Sequence, residues 1–485
     1  MKVTGDVSNS EFAKVYRGEH RIYGQHLLAI ITRVDLVETL KLSELMSALS
    51  YALDITEGQP EGHCIRCCWI GMNIGQKIGL PPEQLWELYY VLLLKDLGCS
   101  SNASRICELY LTDDLSFKRD FKWVDGSLPQ VLRFVLRHTG TAAGIISRFK
   151  AIADIFAHGD EIAQELIQTR CTRGADIARR LRFDEPIAEG IHALDEHFDG
   201  NGRPEGLAGD KIPIYARIAL LSQVIDIMNA SSGEAEVLAE VQSRKGSWFD
   251  PALVDVFTSL ASDPAFWQTL NSADVDKTVL ALEPGEFYKP LDDDFFDDIA
   301  EAFGQVIDAK SPYTAGHSAR VGLYTMLLAE DLGISGQRQR WLKRGAVLHD
   351  VGKLGVSNCI LDKPGKLTDA EYEAVKMHAV YTGQILERIK PFQELAKVSS
   401  AHHERLDGKG YPLGLTSKDI VLETRIITTA DIFDAITAER PYRGALSIEK
   451  TLSIMQESVG TAIDEQCFTS LKQLIVRHPE FFPNP

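Results

Sequence analysis

Five imidazoles and two carboxylates stand out in the C-terminal part of the chain: His317, His349, Asp350, His378, His402, His403 and Asp431. They sit in short polar clusters within otherwise apolar, helix-periodic stretches such as AVLHDVGKLGV over 346–356. A single histidine on an apolar helix is ordinarily a core residue with a satisfied hydrogen bond. Seven such groups on successive helices are different, because each buried polar atom left without a partner costs roughly 1–3 kcal/mol. A cation satisfies them together, and imidazole with carboxylate suits iron, manganese or zinc. An earlier stretch, YVLLLKDLGCS over 90–100, repeats the pattern but carries Lys95 at the histidine position.

The elements that must position these groups are helices. Nearly every periodic stretch follows the 3.6-residue pattern and β-type alternation is scarce, so the predicted class is all-α. EGHCIRCCWIGMNIGQKIGL (61–80) matches AGHSARVGLYTMLLAEDLGI (315–334): each opens on Gly-His and reaches a glycine that would stop a helix. His63 to Asp96 and His317 to Asp350 span the same 33 positions, and Asp199 to Asp226 and Asp407 to Asp434 the same 27. Equal intervals over several anchors predict two copies of one helical module. The first copy has about 46 extra residues after Asp96, read as a helical insertion at about 100–160. EPGEFYKPLDDD (283–294) is polar with Gly and Pro and marks the boundary. The expected organisation is a lead segment at 1–40, a degenerate copy at 41–284 and an intact copy at 295–485.

The 485 residues exceed what one core accommodates, and 45% hydrophobic with 25% charged residues is an ordinary globular composition. No run approaches the ~18 apolar residues of a membrane span, and MKVTGDVSNSEF lacks the layout of a signal peptide. A cytoplasmic protein is expected. The formal charge of −18 argues against a general nucleic-acid or anionic-membrane binder, yet admits a small anionic substrate where cations gather locally. The eight cysteines show no disulfide framework. Cys64 and Cys67 form a lone CxxC inside a predicted helix over 63–79, read as small buried residues.

HDVGK (349–353), HHERLDGKGYP (402–412) and RIITTADIFDAITAERPYR (425–443) together resemble the HD-GYP family, a branch of the HD-domain phosphohydrolases. The resemblance covers about 295–475. It implies two tandem HD-type helical domains, the second an intact HD-GYP domain, and metal-dependent hydrolysis of cyclic di-GMP to pGpG, then slowly to GMP. Carried over by position, His317, His349, Asp350 and Asp431 would hold one metal. Asp350 would bridge to a second, completed by His378, His402 and His403. Iron or manganese is expected, with a hydroxide between the two metals attacking phosphorus. Lys353 would hold a phosphate oxygen or the leaving group, unless it is a solvated helix end. Arg440 and Arg443 resemble phosphate-contacting cations, with plain surface charge as the alternative. Tyr411 would stack on a base or dock a partner, since the family's loop is linked with diguanylate-cyclase partners. Asp434 would orient a ligand or an arginine. Tyr313 stands where some members carry a Glu for a third metal, so two metals are expected. Thr382 replaces a usual glycine, a tolerable change in a helix. Alternatives are 3',3'-cyclic GMP-AMP as substrate, or a non-catalytic cyclic-dinucleotide receptor. A homodimer is left open.

The first copy keeps His63 and Asp96, but its other ligand positions become Lys95, Arg170, Leu194, Asp195 and Gln223. Two cations in ligand positions would neutralise the remaining carboxylates. The copy is read as a scaffold. Its alternatives are a regulatory anion pocket using Lys95 and Arg170, or a new metal site from His63, Cys67 and Asp96 with Cys99 nearby.

Overall fold

The computed structural model describes residues 40–124, 128–141, 143–285, 291–439 and 443–483. Most of the expected lead segment, and Arg440, lie outside them. Among the described residues every extended regular element is helical, with only isolated β-bridges, as the periodicity predicts. None of these helices is long and apolar enough to cross a membrane.

The repeat is visible element by element. Helix His63–Lys77 is the counterpart of His317–Asp331, and each starts after a glycine in the left-handed region, Gly62 at φ 82° and Gly316 at φ 70°. Helix Ile214–Asn229 is the counterpart of Leu422–Thr437. Local chemistry sets the ends. Thr368 and Glu371 form a reciprocal capping box at the start of Asp369–Glu387, and Asp464 accepts from the Gln466 and Cys467 amides at the start of Glu465–Arg477; such caps contribute about 1 kcal/mol each. The insertion forms helices Ala103–Tyr110, Asp114–Phe121 and Leu128–His138, then runs into the long helix Ile145–Arg180, kinked at His158.

The two copies share one hydrophobic core. Leu45, Leu49 and Leu53 belong to the same buried cluster as Phe295, Phe303, Val351, Leu354, Ile385 and Phe392. A second cluster, with Val321, Tyr324, Ile426, Phe433 and Phe468, lies within the second copy. The exchange between copies is reciprocal. Helix Leu42–Thr56 packs on the 3-10 turn Val351–Gly355 of the second copy, and helix Asp293–Asp308 packs on the turn Cys99–Asn102 of the first. Each turn follows a copy's His/Lys-Asp pair, so each copy supports the other's polar centre. At roughly 1.5–3 kcal/mol per large apolar side chain, this shared burial ties the two copies together.

Two contacts to one buried aspartate reinforce the junction. Asp114, from the insertion, accepts from the Asn358 backbone amide at 2.8 Å and lies 3.3 Å from Lys310 Nζ. Burial opposes the Asp114 carboxylate, but Lys310 and Lys118 overcome it and hold its pKa below the ordinary value.

Candidate metal centre

Asp350 caps the turn Val351–Gly355 at the end of helix Gly336–Leu348, and its carboxylate lies at the middle of the imidazole cluster. Its Oδ2 is 3.2 Å from His349 Nε2 and 3.3 Å from His317 Nε2. Its Oδ1 is 3.5 Å from His378 Nε2 and 3.7 Å from His402 Nε2. Asp431 Oδ1 lies 3.5 Å from His317 Nε2 and 3.7 Å from His349 Nε2. His378, His402 and His403 offer one nitrogen each within 4.8 Å of one another. The structure thus gathers all seven side chains into two sets that meet at Asp350.

The backbone dictates which nitrogen faces inward. His349 Nδ1 lies 2.6 Å from the Ala346 carbonyl oxygen, His378 Nδ1 2.5 Å from that of Val375, and His402 Nδ1 2.6 Å from that of Ser399. A carbonyl only accepts, so Nδ1 carries a proton and Nε2 is the nitrogen turned into the cluster. His317 Nδ1 instead pairs with Asp434 Oδ2 at 2.7 Å, and Arg320 Nε holds the other oxygen of Asp434 at 2.6 Å. Asp434 therefore orients both a histidine and an arginine. Asp434→Asn should lower metal affinity by about 10–100-fold; calorimetric titration with Mn²⁺ measures this, and an unchanged affinity would contradict the assignment.

Several supports carry no motif of their own. Thr382 is more than a tolerated replacement: its hydroxyl donates to the His349 carbonyl at 2.9 Å and accepts from the Gly352 amide at 3.0 Å, tying the turn to helix Asp369–Glu387. Gly352 is required there, because a Cβ would collide with the His378 carbonyl oxygen. Glu404 accepts from the Leu413, Gly414 and Leu415 amides at 2.6, 3.1 and 2.8 Å and shapes the DGKGYP loop. Glu196 does the same with Glu205, Gly206 and Leu207 in the first copy. That reuse is the signal by which the glutamate was findable.

The residues fit a cation. His317 Nε2, His349 Nε2 and Asp350 Oδ1 are buried without a hydrogen-bond partner, an expensive arrangement that metal ligation resolves. Burial pushes His378 down to about 4 and His403 to about 3, and depresses His402 further, so these three are neutral ligands at neutral pH. Burial also works against an imidazolium at His349, but Asp350 and Asp431 outweigh it and hold the group up at about 10; His317 is raised in the same way, against burial, by Asp350 and Asp434. Cation entry must then expel protons from these two rings. Apparent Mn²⁺ affinity should climb from about pH 6 to about pH 8, by about tenfold per unit for each proton released. Titrations at stepped pH check this, and a flat profile would contradict it.

The remaining expected residues divide. Lys353 is ion-paired with Asp350 Oδ2. The Tyr411 ring lies 4.8 Å from that of His403. Arg443 is engaged elsewhere: its guanidinium donates to the Ile436 and Gly444 carbonyls at 2.9 Å and the Ala435 carbonyl at 3.0 Å, capping the end of helix Leu422–Thr437. The expected phosphate contact did not foresee these orphan carbonyls at the helix end.

In the first copy protein cations occupy the equivalent space. Lys95 Nζ is ion-paired with Asp96 and lies 3.0 Å from His63 Nε2 and 3.2 Å from Gln223 Oε1. These are the counterparts of Asp350, His317 and Asp431. Arg170 is ion-paired with Asp195. Lys122, from the insertion, lies 2.7 Å from Glu57 and 3.9 Å from Asp96; sequence reasoning missed it because an inserted lysine has no repeat partner. The anion-pocket reading loses force, since Lys95 and Arg170 are each held by an aspartate. The His63-Cys67-Asp96 metal reading loses force too, because Lys95 fills the gap and burial drives the Cys67 thiol up, away from the thiolate.

A family profile described as HD domain matches residues 145–253 and 301–467. The 3'3'-cGAMP-specific phosphodiesterase 3 of Vibrio cholerae serotype O1 is 55% identical over 442 residues, spanning 91% of this chain and 96% of the relative. The cyclic di-GMP phosphodiesterase response regulator RpfG of Xanthomonas campestris pv. campestris is 35% identical over 169 residues, spanning 34% of this chain and 45% of that protein. The crystal structure of the cyclic GMP-AMP specific phosphodiesterase V-cGAP3 of V. cholerae aligns with a TM-score of 0.63 at 49% identity, covering 91% of this chain and 99% of that one.

Proposed function

Because this chain belongs to the HD-GYP branch of the HD-domain phosphohydrolases, we propose that its second copy hydrolyses a cyclic dinucleotide and prefers 3'3'-cyclic GMP-AMP. The observation that carries the reading is the division of Asp350, one oxygen toward His317 and His349, the other toward His378 and His402. The substrate preference rests on coverage. The relative that spans 91% of this chain is named for cyclic GMP-AMP, whereas the response regulator RpfG, named for cyclic di-GMP, matches 34%. This reverses the order expected from the motifs, which placed cyclic di-GMP first and cyclic GMP-AMP as the alternative.

His317, His349, Asp350 and Asp431 would hold one divalent cation, and Asp350, His378, His402 and His403 a second; Tyr313 in place of a carboxylate is the reason for two and not three. Such cations supply an acidified water and offset charge on the phosphoryl oxygens. The protein does the rest. The three Nδ1–H···carbonyl bonds and the Asp434 contact fix the rings before any ligand arrives, so no reorganisation is needed during reaction. Lys353, partly buried at the edge of the cluster, offers a cation to a phosphate oxygen or to the departing 3′ oxygen.

A cyclic dinucleotide presents two bases on opposite sides of its phosphate ring, and two cavities open in the second copy, one at Lys353 and one at Arg320. One, of about 220 Å³, is lined by Tyr313, Lys353, Lys363 and Leu367; the other, of about 470 Å³, by Tyr313, Arg320, Thr437 and Glu439. Tyr313 forms a wall common to both. Steady-state hydrolysis with Mn²⁺ or Fe²⁺ under reducing conditions tests the reading. The expected result is linear dinucleotide from both substrates, with kcat/KM for 3'3'-cyclic GMP-AMP about tenfold or more above that for cyclic di-GMP, a gap of about 1.4 kcal/mol. Preference for cyclic di-GMP would overturn the substrate assignment, and binding of either without product would favour a receptor.

A further inference from the structure

The junction between the copies brings together two cysteines far apart in the chain. Cys107, on helix Ala103–Tyr110 of the insertion, is half-buried, while Cys359, on the short helix Asn358–Leu361 of the second copy, is exposed. These two helices pack on each other. Cys359 Sγ donates to the Thr112 carbonyl oxygen at 2.9 Å, which turns it toward the insertion. Cys107 Sγ lies 3.9 Å from Asp114 Oδ1, the same oxygen that accepts from the Asn358 amide at 2.8 Å. One carboxylate oxygen thus links Cys107 to the residue preceding Cys359. The six other cysteines have no comparable exposed thiol: Cys64, Cys67, Cys68, Cys99, Cys171 and Cys467 are all buried.

We propose that Cys107 and Cys359 are a peroxide-sensitive thiol pair that closes into a disulfide between the two copies. The neighbouring Cys359 thiol, with burial and the Asp114 carboxylate, holds the Cys107 thiol above its ordinary pKa. Cys107 therefore stays protonated at rest, while the exposed Cys359 meets the oxidant first. Cys359 Sγ attacks hydrogen peroxide: the O–O bond breaks, an S–O bond forms and one water leaves. Cys107 Sγ then attacks Cys359 Sγ: the S–O bond breaks, the S–S bond forms, and the departing hydroxide takes the Cys107 proton and leaves as a second water. Two thiols lose two electrons in all, and one peroxide becomes two waters. In a reducing compartment such a bond is transient, which fits a pair that is free in the resting fold.

The position gives the bond a consequence. Asn358–Leu361 directly follows the Val351–Gly355 turn that carries Lys353, so the link clamps the insertion of the first copy to the segment behind the reactive centre. It also closes a very long loop, which restricts the unfolded chain.

The test treats the full-length protein with hydrogen peroxide, alkylates free thiols and maps non-reduced peptides by mass spectrometry. The expected result is a Cys107–Cys359 cross-linked peptide, an intact mass lower by two hydrogens, a raised melting temperature, and reversal of all three by dithiothreitol. Cys107→Ser should leave Cys359 as a trappable sulfenic acid, and Cys359→Ser should leave Cys107 unmodified. Over-oxidation of Cys359 with Cys107 still alkylatable in the wild-type chain, or a Cys359–Cys359 link between two chains, would overturn the proposal. The wild-type map decides the matter even if a serine variant fails to fold.

Discussion

Asp350→Asn should lower turnover of a cyclic dinucleotide by ~1,000-fold or more and abolish tight Mn²⁺ binding. Its carboxylate alone faces both ligand sets, with Oδ2 toward His317 and His349 and Oδ1 toward His378 and His402. An amide supplies one oxygen and no charge, so neither set retains a bridging anion. The first copy provides the control. Replacing its buried ion pair together, Lys95→Met with Asp96→Leu, removes a matched pair of charges outside the seven side chains of the second copy's centre. Such paired replacement is often neutral for stability, and turnover should stay within about threefold. Steady-state rates measured at saturating Mn²⁺ compare the two variants. A large loss in the first-copy variant with retention in Asp350→Asn would reverse the roles assigned to the copies.

Asp114→Ala should destabilise the whole chain by about 3–5 kcal/mol, the range for stranding one partner of a buried ion pair. Lys310 is 1% exposed and lies 3.3 Å from the Asp114 carboxylate, and burial already pushes the Lys310 pKa down. The variant also leaves the Asn358 amide without its acceptor. Since Leu49 and Phe303 share one core, the loss should appear as one cooperative transition shifted to lower denaturant, seen alike by near- and far-ultraviolet circular dichroism. A change below about 1 kcal/mol, or separate transitions for the two copies, would contradict the shared-unit picture.

The polar residues of the centre were legible because chemistry constrains them twice, by type and by interval. His317 and Asp350 repeat the spacing of His63 and Asp96, and the seven side chains singled out from the sequence are the ones that face one another in the fold. The helical class followed from periodicity. What packing decides was not legible. Lys122 enters the first copy's centre from an insertion that has no repeat partner. Thr382 acts through a hydroxyl bridge between a turn and a helix, a contact no local pattern encodes. The carbonyl contacts of Arg443 were not legible, because a guanidinium can serve a phosphate or the orphan carbonyls of a helix end. The common core was hidden because an apolar helix face does not state which copy it will meet. Substrate choice was hidden for a related reason: the motifs describe the metal ligands and the reacting phosphate, and cavity walls such as Tyr313 lie outside them.

The most direct test is elemental analysis of full-length protein prepared without oxygen, supplied with Fe²⁺ or Mn²⁺ and freed of loosely held ions. Two metal ions per chain, both lost in Asp350→Asn, is the result expected of a carboxylate shared by two imidazole sets. A chain that binds none, or an Asp350→Asn variant that keeps its full complement, would contradict it.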